Sequence, residues 1–219
     1  MDAFGAEAAF IARMTASTTH ELRNVLAVVK ESAGLVDDLT LALQQRKPVN
    51  PDKMLQATRR IDAQVARGAD LLTSLNRLAH GLDHPEERID LGQHVRHVVF
   101  LCQRFARLRR LRLEVEADGG ERMVRANALQ LLMLLTAAVD CCIEGLPEES
   151  VVGIRVAGSA DRPSVEFTGS VSGARSVPGP DGTAGWPRLT ALAAGRAIRV
   201  TTAGPGFGFR LEFSAEAVG

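Results

Sequence analysis

The chain has no tyrosine, and aromatic residues fill only 4% of its 219 positions, so a core has to be built mainly from Leu, Val and Ala. Cysteine is scarce as well. Cys102, Cys141 and Cys142 cannot form a complete set of pairs, and adjacent cysteines rarely bridge each other. This excludes a disulfide-stapled scaffold and predicts reduced, partly buried thiols in a cytoplasmic protein. Neither sign of charge is in excess, with 26 Lys and Arg against 26 Asp and Glu, so no overall field draws the chain to nucleic acid or to an anionic membrane. No stretch approaches the ~20 apolar residues needed to span a bilayer. Met1–Gly5 lacks the basic region and apolar run of a signal peptide.

What is present begins with 46% hydrophobic residues, enough for a core, and a length that suits one large or two small domains. The spacing predicts a first helix from about Ala3 to Gln45, free of proline and weakened only at Gly34. Its apolar or small residues recur at Ile11, Thr15, Thr18, Leu22, Val25, Val29, Ala33, Val36 and Leu43, the three-four spacing of a buried seam. At about 100° per residue, His20 projects almost opposite that seam, on a face shared with Arg23, Asn24, Ala27 and Glu31. After Arg46–Val49, Asn50-Pro51-Asp52 reads as N-cap, first-position proline and first-turn acid of a second helix. That helix carries Met54, Thr58, Ile61, Val65, Ala69, Leu72, Leu75 and Ala79 and stops at Gly81. Two long helices joined by a short turn form an antiparallel hairpin. A hairpin with a seam on each helix cannot bury both alone. Two chains pairing into a four-helix bundle solve this economically, and a second domain lying over the hairpin is the alternative.

Gly81–Arg88 reads as a polar linker, dividing a hairpin domain at 1–82 from a second domain at 88–219. Beyond it, Ile89–Leu91 is a short strand candidate, and Asp90 with Gln93 forms a capping box for a helix to about Arg107. Leu111–Ala117 alternates as a strand, and Asn127 caps an apolar helix from Ala128 to Glu144 closed by Gly145. Val151–Ala157 and Ser164–Thr168 are strands separated by Gly158–Pro163. A loop from Gly169 to Gly182 leads to a helix around Pro187–Ala194. Ile198–Thr202 and Phe207–Phe213 form a hairpin across Ala203–Gly206. The fold class is α+β, with helices layered on one face of a sheet.

Ser17-Thr18-Thr19-His20-Glu21-Leu22-Arg23-Asn24-Val25-Leu26 resembles the H-box of sensor histidine kinases, with Val25 where those kinases usually carry proline. The order of elements after residue 88 is similar to the ATP-binding domain of the same family. The resemblance covers nearly the whole chain and implies a dimeric four-helix bundle followed by an α/β sandwich. The nucleotide motifs depart from it. Leu134 and Ala138 fall near the places of paired asparagines that hold Mg²⁺ and phosphates. Val165–Gly173 lacks the aspartate that binds adenine, and Gly182-Thr183-Ala184-Gly185-Trp186 is a reduced phosphate loop. Only Gly206-Phe207-Gly208-Phe209 resembles the last glycine box, and glycines in a β-turn explain it equally well. Bound triphosphate needs a metal and donors to offset its charge, which apolar Leu134 and Ala138 do not supply. No Gly-x-x-x-x-Gly-Lys-Ser/Thr segment replaces them. The second domain is therefore expected to be degenerate, binding no ATP, and the chain to be unable to phosphorylate itself.

These readings leave a histidine phosphotransfer protein in two-component signalling. The resemblance makes His20 the phosphoacceptor and response-regulator receiver domains its partners, with Mg²⁺ supplied by the receiver and no cofactor bound by this chain. A neutral imidazole nitrogen is nucleophilic near pH 7, and Glu21 could take the ring proton or fix the tautomer. Arg23 could contact partner acids or the moving phosphoryl charge, or simply be a solvated surface arginine. Glu21-x-x-Asn24 matches the pattern by which such kinases dephosphorylate their regulators, so Asn24 could orient an attacking water. A response-regulator phosphatase and a non-catalytic receiver-binding adaptor are the alternatives, with a kinase of unusual nucleotide site behind them. His80 with His84 and His94 with His97 have zinc-like spacing, but no Cys or carboxylate cluster completes either site. The basic run Arg104–Arg112 reads as a solvated or internally paired helix end.

Overall fold

A computed structural model describes residues 3–80, 86–116, 120–171, 177–196, 198–204 and 206–213. Expectations for Gly81–Pro85, which include most of the linker and His84, and for Ala117, Ser172–Gly173 and Pro205, lie outside those residues. The chain divides into two compact units, Ala8–Ala79 and a second comprising His80–Gly219 with Met1–Glu7.

The first unit is a helical hairpin of α1 (Ala3–Gln44) and α2 (Pro51–His80). Arg46, at φ 57°, supplies the left-handed residue that ends α1, and the Lys47 amide returns to the Ala42 carbonyl at 2.9 Å. Asn50 Oδ1 accepts from the Asp52 amide at 2.9 Å and starts α2. The short turn makes the helices antiparallel, and their register brings Glu21 to Arg67, Glu31 to Arg60 and Gly68 to Val25, where an added Cβ would lie 3.4 Å from Val25 Cγ1.

The buried residues of the hairpin correct the expected seam. On α1 they are Phe10, Met14, Ser17, Thr18, Val25 and Ser32, and on α2 Ala57, Gly68, Leu71, Ser74 and Leu78. Of the expected seam on α1, only Thr18 and Val25 are buried. Ile11, Thr15, Leu22, Val29 and Val36 are half-buried, and Ala33 and Leu43 are exposed. The centre of the buried set is displaced by roughly 65° around the helix from the centre of the expected seam. His20 therefore flanks the buried stripe instead of standing opposite it. The members of the expected seam that are not buried form, with exposed Leu26, a second apolar stripe, and α2 carries its counterpart at exposed Val65, Ala69 and Leu72.

The second unit is α+β. β1 (Glu87–Asp90) pairs antiparallel with β3 (Met123–Ala126), a four-residue strand the sequence pattern does not reveal. A five-stranded sheet runs β2 (Arg112–Val115), β4 (Val151–Ser159), β5 (Arg162–Ser170), β7 (Gly208–Glu212) and β6 (Arg199–Thr202), parallel only between β2 and β4. The strands β4 and β5 are longer than expected, because Pro163 joins the ladder opposite Gly158 and the turn shrinks to Ala160–Asp161. Gly158, at φ 84°, fits where a Cβ would come within 2.2 Å of the Arg162 carbonyl oxygen.

Three helices cover the sheet: α3 (Leu91–Leu108), α4 (Ala128–Gly145) and α5 (Trp186–Ala194). Asp90 caps α3 by accepting from the Gly92 amide at 2.8 Å, and Asn127 caps α4 by accepting from Gln130 at 3.0 Å. α4 is apolar all round because it is buried all round, every residue from Leu131 to Val139 being inaccessible. It packs on β5 on one side and on α3, α5 and the single turn Pro180–Gly182 on the others. Against the expectation that no such stretch exists, α4 alone among the described helices is long and apolar enough to cross a membrane, but 72% of it is buried inside this domain. Four aromatics cluster beside the sheet, with Phe167 stacked on Phe209 at 4.9 Å, Trp186 edge-on to Phe209 at 5.5 Å and Phe207 edge-on to Phe209 at 6.4 Å.

Candidate functional site

On α1, His20 is exposed one turn before Asn24, and their i, i+4 spacing brings the two side chains together. Asn24 Nδ2 lies 3.3 Å from His20 Nδ1, whereas Nε2 has no partner among the described residues. An amide carries both a donor and an acceptor, so Asn24 can engage Nδ1 in either neutral tautomer of the ring. Arg23 is exposed on the same side.

Glu21, the immediate neighbour of His20, points elsewhere. Its carboxylate is held by Arg67 of α2, and its side chain is 12% exposed. The expected base or tautomer role of Glu21 competes with this contact, and the group that meets Nδ1 is Asn24. Arg67 is a site residue that sequence reasoning missed. Its signal would have been an acid on α1 needing a cation on the facing helix, which becomes legible only after the hairpin register is known.

In the second unit, Leu134 and Ala138 are both fully buried, so neither side chain is offered to a ligand. The end of α4 is filled in the same way. A Cβ on Gly145 would fall 2.3 Å from Phe207 Cε2 and 2.6 Å from Thr183 Cγ2. Thr183 Oγ1 donates to the Pro180 carbonyl at 2.7 Å and lies 2.9 Å from Cys141 Sγ. Burial pushes the Cys141 and Cys142 thiols up, Cys142 the further, which keeps both protonated and unreactive. His94 Nε2 is 3.1 Å from the Ala128 carbonyl oxygen, and the His94 and His97 rings meet edge to face at 6.3 Å. That carbonyl is a hydrogen-bond acceptor for His94 Nε2–H, which puts this nitrogen to structural use. His84 and the His80 side chain lie outside the described residues.

No family model matches the chain, and no curated protein matches it. Among solved structures, it is similar to a bacterial phosphotransferase over 97% of this chain and 97% of that chain, at 15% identity and a TM-score of 0.51. The catalytic domain of histidine kinase ThkA overlaps 60% of this chain and 98% of its own, at 16% identity and a TM-score of 0.49. The histidine kinase AdeS of Acinetobacter baumannii overlaps 85% of this chain and 96% of its own, at 13% identity and a TM-score of 0.46. What the chain shares along its whole length with the phosphotransferase is the fold, a long helical hairpin followed by an α/β domain.

Proposed function

We propose that this chain is a cytoplasmic histidine phosphotransfer protein of two-component signalling, relaying phosphoryl groups between response-regulator receiver domains through His20 without binding ATP. The observation that carries the reading is His20 itself, an exposed imidazole on a rigid helix whose Nδ1 is engaged by Asn24 and whose Nε2 has no protein partner among the described residues. The imidazole is nucleophilic near neutral pH. Mg²⁺ and the aspartate that exchanges the phosphoryl group come from the receiver. Arg23, exposed beside the ring, contacts the receiver or the phosphoryl charge in transit.

The second unit supports the absence of nucleotide chemistry. Its central helix is covered on both sides, and Gly145 at its end packs against Thr183 and Phe207. The whole-chain fold shared with a phosphotransferase agrees with this reading. The second apolar stripe on the hairpin supports a homodimer, in which two hairpins form a four-helix bundle.

The test mixes purified protein with receiver domains carrying radiolabelled phosphate, ATP being supplied only to an upstream kinase. Label transferred to the wild type and lost in His20→Ala is the expected outcome. Label acquired directly from ATP would overturn it. Loss of label from the receiver as free phosphate, without labelled His20, would favour the phosphatase. Binding without either would favour the adaptor.

A further inference from the structure

The nitrogen of His20 that faces Asn24 is not the one free to react, and the identity of its neighbour has a chemical consequence. Resting on the relay reading above, we infer that Asn24 is a positioning residue that holds the phosphorylated ring of His20 in its neutral form and thereby sets how long the chain stores a phosphoryl group. Three observations carry it. Asn24 Nδ2 is 3.3 Å from Nδ1, and Nε2 has no partner among the described residues. The adjacent acid, Glu21, is committed to Arg67 on the other helix.

The Nε2 lone pair attacks the phosphorus of a receiver acyl phosphate, the P–O bond to the receiver aspartate breaks, and its electron pair leaves with the carboxylate. For Nε2 to hold that lone pair, the neutral ring must carry its proton on Nδ1, where Asn24 accepts it through Oδ1 with the amide turned end for end. Immediately after transfer the ring bears Nε2–P and Nδ1–H and one positive charge. Loss of the Nδ1 proton to water gives a neutral phosphoimidazole. Its Nδ1 lone pair then accepts from Asn24 Nδ2, which is the contact the structure displays. An amide meets the ring through its oxygen before transfer and through its Nδ2–H afterwards, and because that oxygen is uncharged it stabilises the charged ring far less than a carboxylate would. A carboxylate carries acceptors only and would stabilise the charged ring. The charged phosphoimidazole is the better leaving group, so whichever side chain faces Nδ1 governs the lifetime of the phosphorylated protein.

The test uses the full chain as wild type, Asn24→Leu and Asn24→Asp, each phosphorylated with phosphoramidate so that no receiver is required. Phosphohistidine lifetime is followed by ³¹P NMR, and the ring nitrogens are observed by ¹⁵N NMR before phosphorylation, His20→Gln assigning the His20 signals. Wild type is expected to store the group longest, Asn24→Leu to lose it about fivefold faster, as removal of one ordinary hydrogen bond implies, and Asn24→Asp faster still. Before phosphorylation, Asn24→Asp is expected to move the ring proton to Nδ1. Equal lifetimes and unchanged ring nitrogens in all three would overturn the inference. If no version accepts phosphate at His20 while Asn24→Asp still moves the proton, the relay reading and the storage role fall together, and Asn24 retains only its hold on the tautomer.

Discussion

Arg67 of α2 holds the carboxylate of Glu21, the residue that follows His20 on α1. The pair separates two neighbours in sequence into different tasks, since Glu21 joins the helices while the His20 ring is left to Asn24. With 12% of the Glu21 side chain and 41% of the Arg67 side chain exposed, the contact is partly screened. Arg67→Ala removes this contact from a largely enclosed carboxylate and is expected to lower unfolding free energy by about 1 kcal/mol. His20→Ala, at an exposed position, is expected to change stability by less than about 0.5 kcal/mol. Urea denaturation of the two variants checks both, and a larger loss in His20→Ala would mean that the imidazole is structural.

Restoring asparagine at Leu134 and Ala138 is expected to fail as a route to nucleotide binding. Both side chains are fully buried, so each new amide would enter an apolar interior without a prepared partner. The double variant is expected to lose about 3 kcal/mol or more, from the unpaired polar groups and the poorer packing. Thermal unfolding measures the loss, and a fluorescent ATP analogue measures binding. Recovery of ATP binding with unchanged stability would show that these positions face a nucleotide site.

The α+β class, the two long helices, the caps at Asn50, Asp90 and Asn127 and most strands were legible in the sequence, because each rests on local chemistry or on a clean period. The orientation of α1 was not. Its apolar residues cover a broad arc that merges two stripes, and the centre of that arc lies between them. The contact with α2 also uses Ser17, Thr18, Glu21 and Ser32, which an apolar pattern cannot select. Strand β3 escaped because four residues containing Arg125 show no alternation long enough to read. His20, Arg23 and Asn24 were legible as one helix face. The Glu21–Arg67 pair was not, because it joins residues 46 positions apart.

The second apolar stripe makes a prediction about assembly. Leu26 is 67% exposed, Val65 57% and Leu72 53%, all at helical spacing from other apolar residues of the hairpin. Such a stripe is the usual mark of a further helix partner. Light scattering after size exclusion is expected to give a dimer for the wild type and monomer for Leu26→Glu with Leu72→Glu. A monomeric wild type of unchanged elution at high concentration would remove the four-helix bundle from the reading.

On the outer face of the sheet, Glu166 of β5 stands in register between Arg155 of β4 and Arg210 of β7 and pairs with both. Burial raises its carboxyl, but the two guanidinium groups outweigh this and hold it below the usual carboxylate range. A folded-state value lowered relative to the unfolded chain means that the unfolded chain binds the proton more readily. The pair's contribution is thus fully present above the ordinary carboxylate range and is lost as pH falls through the lowered folded-state value. Glu166→Gln keeps the shape but removes this titration. It is expected to be less stable than wild type at neutral pH, and the gap between them is expected to close as the medium is acidified. Melting temperatures of both proteins across the acid range check the sign, and a gap that widens on acidification would mean that Glu166 is destabilising as an anion.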